Sequence, residues 1–199
     1  TATVLQEQLL PGCFEDVVET TSSGIVLSSQ MVRKQVFGTG IIGEVYIERG
    51  SNTPMVCRKL VADWGLHQGL IEVYGDATGG SKGTAKVQGS DWDLIKDILR
   101  QAFGSRVSFH VPEANPQERT RVNAVNSRIC NSKGERRMLI DAQRAPKTAK
   151  DFDNTQVVKG SAGEIDKSSN PLLTHLSDGV GYYIARRFPL TKRNSQTDI

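Results

Sequence analysis

The chain has few cysteines, no long apolar run, no internal repeat and no nucleotide-binding loop, and each absence removes a class of function. Its longest uninterrupted apolar stretches are four or five residues, against the roughly 20 that a membrane-spanning helix needs. No basic segment followed by an apolar one opens the sequence, so no secretory signal is read there. Thr1 follows no Met, which reads as a piece of a longer protein. Cys13, Cys57 and Cys130 are odd in number and fall in none of the usual zinc spacings. They fit reduced thiols of an intracellular protein better than a disulfide framework. The glycine run Gly79-Gly80-Ser81-Lys82-Gly83-Thr84 lacks the G-x-x-x-x-G-K-[ST] spacing of a phosphate loop, so a motor ATPase is disfavoured. Charge is nearly balanced, with 25 Lys and Arg against 22 Asp and Glu, a net of +3. That permits contact with nucleic acid without arguing for it.

What remains is enough chain, 199 residues, for one domain with a real core. Periodicity predicts alternating strands and helices. A β-rich stretch covers Thr39 to Arg49, and Thr53-Pro54 opens a helix as N-cap and first-turn proline. Gly69 to Tyr74 reads as a short buried strand that ends in Gly75-Asp76-Ala77-Thr78-Gly79-Gly80, and the glycine-rich sequence up to Gly89 as a loop. Ser90 caps a second helix on which Trp92, Ile95, Leu99 and Phe103 share a face. A strand at Arg106 to Val111 follows, then a helix from about Pro116 to Cys130 and a strand at Arg137 to Asp141. Two more helices are expected, from Pro146 to about Val158 and from Pro171 to Phe188. Before residue 39, Phe14 to Glu19 and Ile25 to Val32 are candidate strands or the remnant of a preceding domain. The alternation favours an α/β layer fold with a mostly parallel or mixed sheet.

In such sheets ligands bind beyond the carboxyl ends of strands, and Asp76 falls there. A carboxylate flanked by glycines can hold a hard cation such as Mg²⁺, although Asp and Gly are also simply what turns are made of. Asp178 is the second candidate. On a helix from Pro171, Leu172, Leu176, Val180 and Ile184 form the apolar stripe, and Asp178 lies on another face with His175 and Tyr182 as neighbours. An Asp inside a helix, followed by Gly179, is unfavourable by propensity, which points to a reason other than helix stability. The bland alternative is a solvated face with a small residue for close packing. Gly163-Glu164-Ile165-Asp166-Lys167-Ser168 is a charged loop suited to a water or a phosphate, or to plain surface. His67 and His110 stand alone and read as structural. Basic residues cluster at Arg119, Arg121 and Arg128, at Lys133, Arg136 and Arg137, and at Arg186, Arg187, Lys192 and Arg193. Either phosphate contact or solvated charge explains them.

Four segments in fixed order carry a resemblance: EVYIERGSNTPMVCR, VYGDATGGSK, ANPQERTRVNAVNSRICN and GEIDKSSNPLLTHLSDGVGYYIARRFP. Together they resemble the C-terminal nuclease domain of the large terminase subunit of tailed bacteriophages, from about Gly43 to Pro189. The most specific piece is the DKS loop followed by a helix with H-x-x-D-G-x-G-Y and ending in R-F-P. The resemblance implies a ribonuclease H-like fold, a central mixed sheet flanked by helices, over residues 39–190. Residues 1–38 are left as first strands or the end of an ATPase domain, and 191–199 as a flexible tail.

It further implies an acidic cluster binding two divalent ions, Mg²⁺ or Mn²⁺, with Asp76 and Asp178 as catalytic metal ligands. Asp166 and His175 are carried over as supporting residues, and Lys82, Arg119, Arg121 and Lys167 as DNA contacts. The implied activity is cleavage of concatemeric double-stranded viral DNA during packaging in the host cytoplasm. An N-terminal ATPase domain, a small terminase subunit and a portal are the implied partners, and no membrane is involved. The family's first-strand Asp, in a D-x-G or D-F-N setting, is not found. Asp16 and Glu19 are the candidates to replace it, and Glu44 a poor one, unless that strand is absent. A resolvase or transposase core lacks the DKS to R-F-P tail. A non-catalytic DNA-binding or docking module of the same fold is the alternative from another class.

Overall fold

A computed structural model describes residues 1–23, 26–78, 90–156, 158–160, 164–166 and 173–190, with the side chains of 18–30 left aside. The chain opens with a long antiparallel hairpin, β1 (Ala2–Ser23) against β2 (Val26–Val45). The candidate strand Phe14 to Glu19 and, from Val26 on, the second candidate therefore form, as parts of much longer strands. β1 carries a register shift between Leu9 and Phe14, where Pro11 cannot donate to a ladder and Gly12 takes φ +82°. α1 (Thr53–Trp64) begins one residue earlier than expected, because Asn52 rather than Thr53 is the N-cap and accepts from the Met55 amide at 3.0 Å. There follow β3 (Ile71–Tyr74), α2 (Asp91–Phe103), a 3₁₀ turn at Gly104–Arg106 and β4 (Val107–His110). Then come α3 (Glu118–Ile129), β5 (Met138–Ile140), α4 (Pro146–Asn154) and α5 (His175–Arg187). α2 is closed by a full capping box, Ser90 and Asp93 each bonding the other's backbone amide.

Among the described residues the strands form a mixed sheet in the order β1-β2-β5, with β5 parallel to β2, and a parallel pair β3-β4. The architecture is mixed α/β, with sheet flanked by helices. The alternation of β3 explains the layering. Ile71 and Val73, with Val107 and Phe109 of β4, face a core built by Cys57, Leu60 and Val61 of α1 and Leu99 and Phe103 of α2. Tyr74 faces the other way, into a core of Ile41, Ala124, Val125, Met138, Val180, Tyr183 and Ile184. Strand period two thus puts α1 and α2 on one side of β3 and α5 on the other. The apolar stripe read on α5 is fully buried at Leu176, Val180 and Ile184, whereas Leu172 lies outside the described residues.

Glu44, near the end of β2, accepts from the backbone amides of Lys147 (2.9 Å) and Thr148 (2.7 Å) and from the Thr148 hydroxyl (2.8 Å). It is the cap of α4, supplied from another strand, and offsets the orphan amides of that helix's first turn.

The cysteines give the first test. Cys13 and Cys57 are buried and Cys130 is exposed. Burial pushes the first two thiols up from their usual range, which removes the reactive thiolate. Under native conditions a thiol reagent is expected to modify Cys130 alone, with Cys13 and Cys57 reacting only after denaturation, as read by mass spectrometry. Rapid native labelling of Cys57 would contradict this packing.

Candidate functional site

Asp76 lies two residues past β3, at the carboxyl end of the parallel pair. Its carbonyl accepts from the Trp92 indole at 2.9 Å, its carboxylate accepts from the Thr78 hydroxyl, and the next amide, Ala77, donates to Asn115 at 2.7 Å. Gly75 is required by the same packing, since a Cβ there would lie 2.7 Å from the Trp92 ring. The turn is therefore fixed from two directions, by α2 and by the loop before α3.

α5 reaches the same edge. Tyr74 at the end of β3 stacks on His110 of β4 with ring centroids 4.5 Å apart, and meets Tyr183 of α5 edge-on at 5.0 Å. Asp178 sits on that helix, but its setting differs from the expected one. α5 begins at His175 rather than Pro171, which places Asp178 in the first turn. There a carboxylate is favoured by the helix dipole rather than penalised, so the propensity argument for a functional origin loses its force. The start itself is held from outside. Thr174, buried with φ +88°, precedes the helix, and Asp151 of α4 accepts from the amides of Leu176 (3.0 Å) and Ser177 (3.3 Å). Strain at a non-glycine left-handed residue persists where the surroundings impose it.

The main departure concerns Arg121. Expected on a DNA-contacting surface, it is instead buried, 5% exposed. Its Nη1 donates to the Asp178 carboxylate at 2.6 Å and to the Asp178 carbonyl at 3.2 Å. Its guanidinium also lies over the Tyr182 ring at 4.6 Å. A guanidinium enclosed in this way is an internal counter-ion to Asp178. Gly181 makes the approach possible: a Cβ there would stand 2.8 Å from the Arg121 Cγ. A Cβ on Gly179, in contrast, would meet nothing within 4 Å. The small residue that packing demands is thus Gly181.

Asp166 lies in a short backbone pairing, its amide on Gln156 at 2.8 Å. The neighbouring Ile165 amide donates to Glu118 at 3.0 Å, and Glu118 lies 4.0 Å from Arg121. The N-terminal end of α3 thereby links the Asp166 segment to Asp178. His175 is exposed at the start of α5, and Arg119 is exposed on α3. Lys82 and Lys167 lie outside the described residues. His110 is 3.2 Å from Glu72.

For a first-strand carboxylate, Asp16 is exposed in the half of the hairpin nearer its tip, paired opposite Arg33, and nothing is described of the Glu19 side chain. The strand residue that does reach α5 is Glu7, which sequence reasoning missed. It accepts from the Tyr183 hydroxyl at 2.8 Å and from the Thr39 hydroxyl, with Arg128 3.6 Å away. Burial, reinforced by this hydrogen bond, pushes the Tyr183 phenol far above its ordinary range, so it remains a donor at any physiological pH. Glu7 is committed to a polar network within the fold. Only its place among polar neighbours in an unassigned segment marked it, and that is no signal.

Asp76 and Asp178 offer hard oxygen donors of the type that Mg²⁺ or Mn²⁺ prefers. Among the described residues no group of three or more His, Cys, Asp or Glu converges. The donor type therefore fits a divalent ion, while a full two-ion set does not emerge from these residues. No family model, curated protein or solved structure matches the chain.

The two glycines of α5 separate the packing claim from simple propensity. Gly179→Ala is expected to stabilise by up to about 1 kcal/mol, the usual gain of Ala over Gly in a helix. Gly181→Ala is expected to cost about 1–3 kcal/mol by displacing Arg121. Urea denaturation of both variants checks this, and equal effects at the two positions would refute the Arg121–Gly181 contact.

Proposed function

We propose that this chain is a ribonuclease H-like, divalent-metal-dependent endodeoxyribonuclease, the cutting domain of a phage large terminase subunit. What supports the reading is the ordered set of four segments, read together with one geometric observation. Asp76 follows a strand of a parallel pair, and the helix bearing Asp178 packs across the end of that strand through Tyr74 and Tyr183. This is the edge at which α/β proteins carry chemistry.

On this reading Asp76 and Asp178 hold the metal, with Asp166 and His175 in support. The bound ion supplies Lewis-acid stabilisation of the charge that develops on the phosphoryl oxygens. The chain's own part is positional. Trp92 and Asn115 fix the Asp76 turn, and Arg121 fixes the Asp178 side chain. With two carboxylates rather than three, metal demand is expected in the millimolar range. Exposed Arg119, together with Lys82 and Lys167, is assigned to the DNA backbone, and Arg121 is not. The accompanying partners are double-stranded DNA, an ATPase domain, a small subunit and a portal, in the host cytoplasm.

A docking module without chemistry is the second reading. The observation that favours it is the Asp178–Arg121 ion pair, which gives one candidate ligand an internal cation. Plasmid nicking with Mg²⁺ or Mn²⁺ decides between them. The nuclease reading expects metal-dependent nicking that falls to background in both Asp76→Ala and Asp178→Ala. DNA binding without nicking by the parent chain would establish the docking reading. Nicking that survives both substitutions would refute the site.

A further inference from the structure

A cleft of about 210 Å³ opens beside the Asp76 turn, between the ends of β3 and β4 and the outer face of α5. Tyr74, His110, Pro112, Pro116, Tyr182 and Arg186 are among the residues that line it. Among the described residues no acidic side chain lines it, and the one charged lining residue, Arg186, is positive and exposed. Rings, proline faces and a small Ala185 leave a largely apolar space. Its volume is below the about 300–1,000 Å³ of pockets for drug-sized ligands, which suits one planar ring system rather than a whole cofactor. Helical spacing aligns the wall with the candidate site, since Asp178, Tyr182 and Arg186 follow one another at i, i+4 on the face opposite the buried stripe.

We propose that this cleft holds a single unpaired nucleobase of a DNA strand, stacked against Tyr182, with Arg186 on the adjoining phosphate. The inference rests on the nuclease reading for the identity of the polymer. The chemistry is general: aromatic platforms take any base by its π-face, and a cation at the rim takes the backbone. A flat apolar ligand without charge would leave Arg186 unused, and an acidic peptide would leave the ring-lined interior unused.

The test is fluorescence anisotropy of a labelled single-stranded deoxyoligonucleotide with the full chain in EDTA, in parallel with a duplex of the same sequence. Working without metal separates this proposal from cleavage. Tyr182→Ala is expected to weaken single-strand binding by about five- to a hundredfold, the range of one lost base stack, and Tyr182→Phe to restore it. Arg186→Gln is expected to reduce the salt slope of binding by about one. Because Tyr182 also touches Arg121, Ala185→Trp serves as the second variant. It fills the cleft without touching the buried stripe, and a comparable loss is expected with an unchanged melting temperature. Unchanged single-strand binding in Tyr182→Ala and Ala185→Trp would overturn the proposal, as would an equal loss on duplex. Absence of single-strand binding by the parent chain would also overturn it, while plasmid nicking could still establish the nuclease.

Discussion

Arg121 crosses α5 at Gly181, and most of what positions the candidate site follows from that crossing. A buried guanidinium is tolerable only when paired and hydrogen-bonded. The pairing is with Asp178, made twice, through its carboxylate and its carbonyl. α3 and α5 are thereby fixed in both rotation and translation. Once α5 is fixed, Tyr183 is delivered to Tyr74 of β3 and to Glu7 of β1, and Asp151 of α4 closes the first turn. One helix thus ties the hairpin sheet, the parallel pair and two other helices together. Exchange of the ion pair for apolar residues is often tolerated in proteins, but removal of one partner is not, which makes either residue structurally sensitive whatever its chemistry.

Much of this frame was legible in the sequence. Gly69 to Tyr74, read as a short buried strand with Gly-Asp behind it, holds a strand from Ile71 and an edge residue, though the strand is only partly buried. Helical spacing of Trp92, Leu99 and Phe103, and of Leu176, Val180 and Ile184, gave two buried faces. These signals are local, and a helix or strand that buries one face cannot avoid them. The ends were less legible. α5 starts later than its proline suggested, because its cap comes from Asp151, 24 residues before the helix begins, and no local pattern reports a distant cap.

The hairpin and Arg121 were illegible for opposite reasons. In β1 the register shift around Pro11 and Gly12 breaks the alternation, so only Phe14 to Glu19 of a 22-residue strand is read. α3 has the correct period but places a cation on its buried side, and sequence reasoning assigns cations to solvent. The glycine that admits Arg121 stands 60 positions away in the chain, two residues after a more conspicuous one at Gly179. Asp178 was picked out by an argument from helix propensity, and a first-turn position now accounts for it by the dipole alone. Its candidacy rests instead on the resemblance and on its neighbours.

Those neighbours bear on what α5 does. Acid at its start and base at its end, Asp178 and Arg186, is the charge order that any helix favours, so the two charges by themselves indicate nothing beyond stability. Tyr182 between them is different. A half-buried ring gains nothing from the dipole; it packs with the Arg121 guanidinium and also lines the cleft beside the ends of β3 and β4. Eight residues of helix span about 12 Å, so the carboxylate, the ring and the guanidinium lie along one line past the end of β3. Arg186 suits a phosphate and the ring suits a base, whereas the Asp178 carboxylate repels a phosphate unless a cation lies between them. On the proposal made above, a strand is therefore held at Tyr182 and Arg186, and at Asp178 only through a cation.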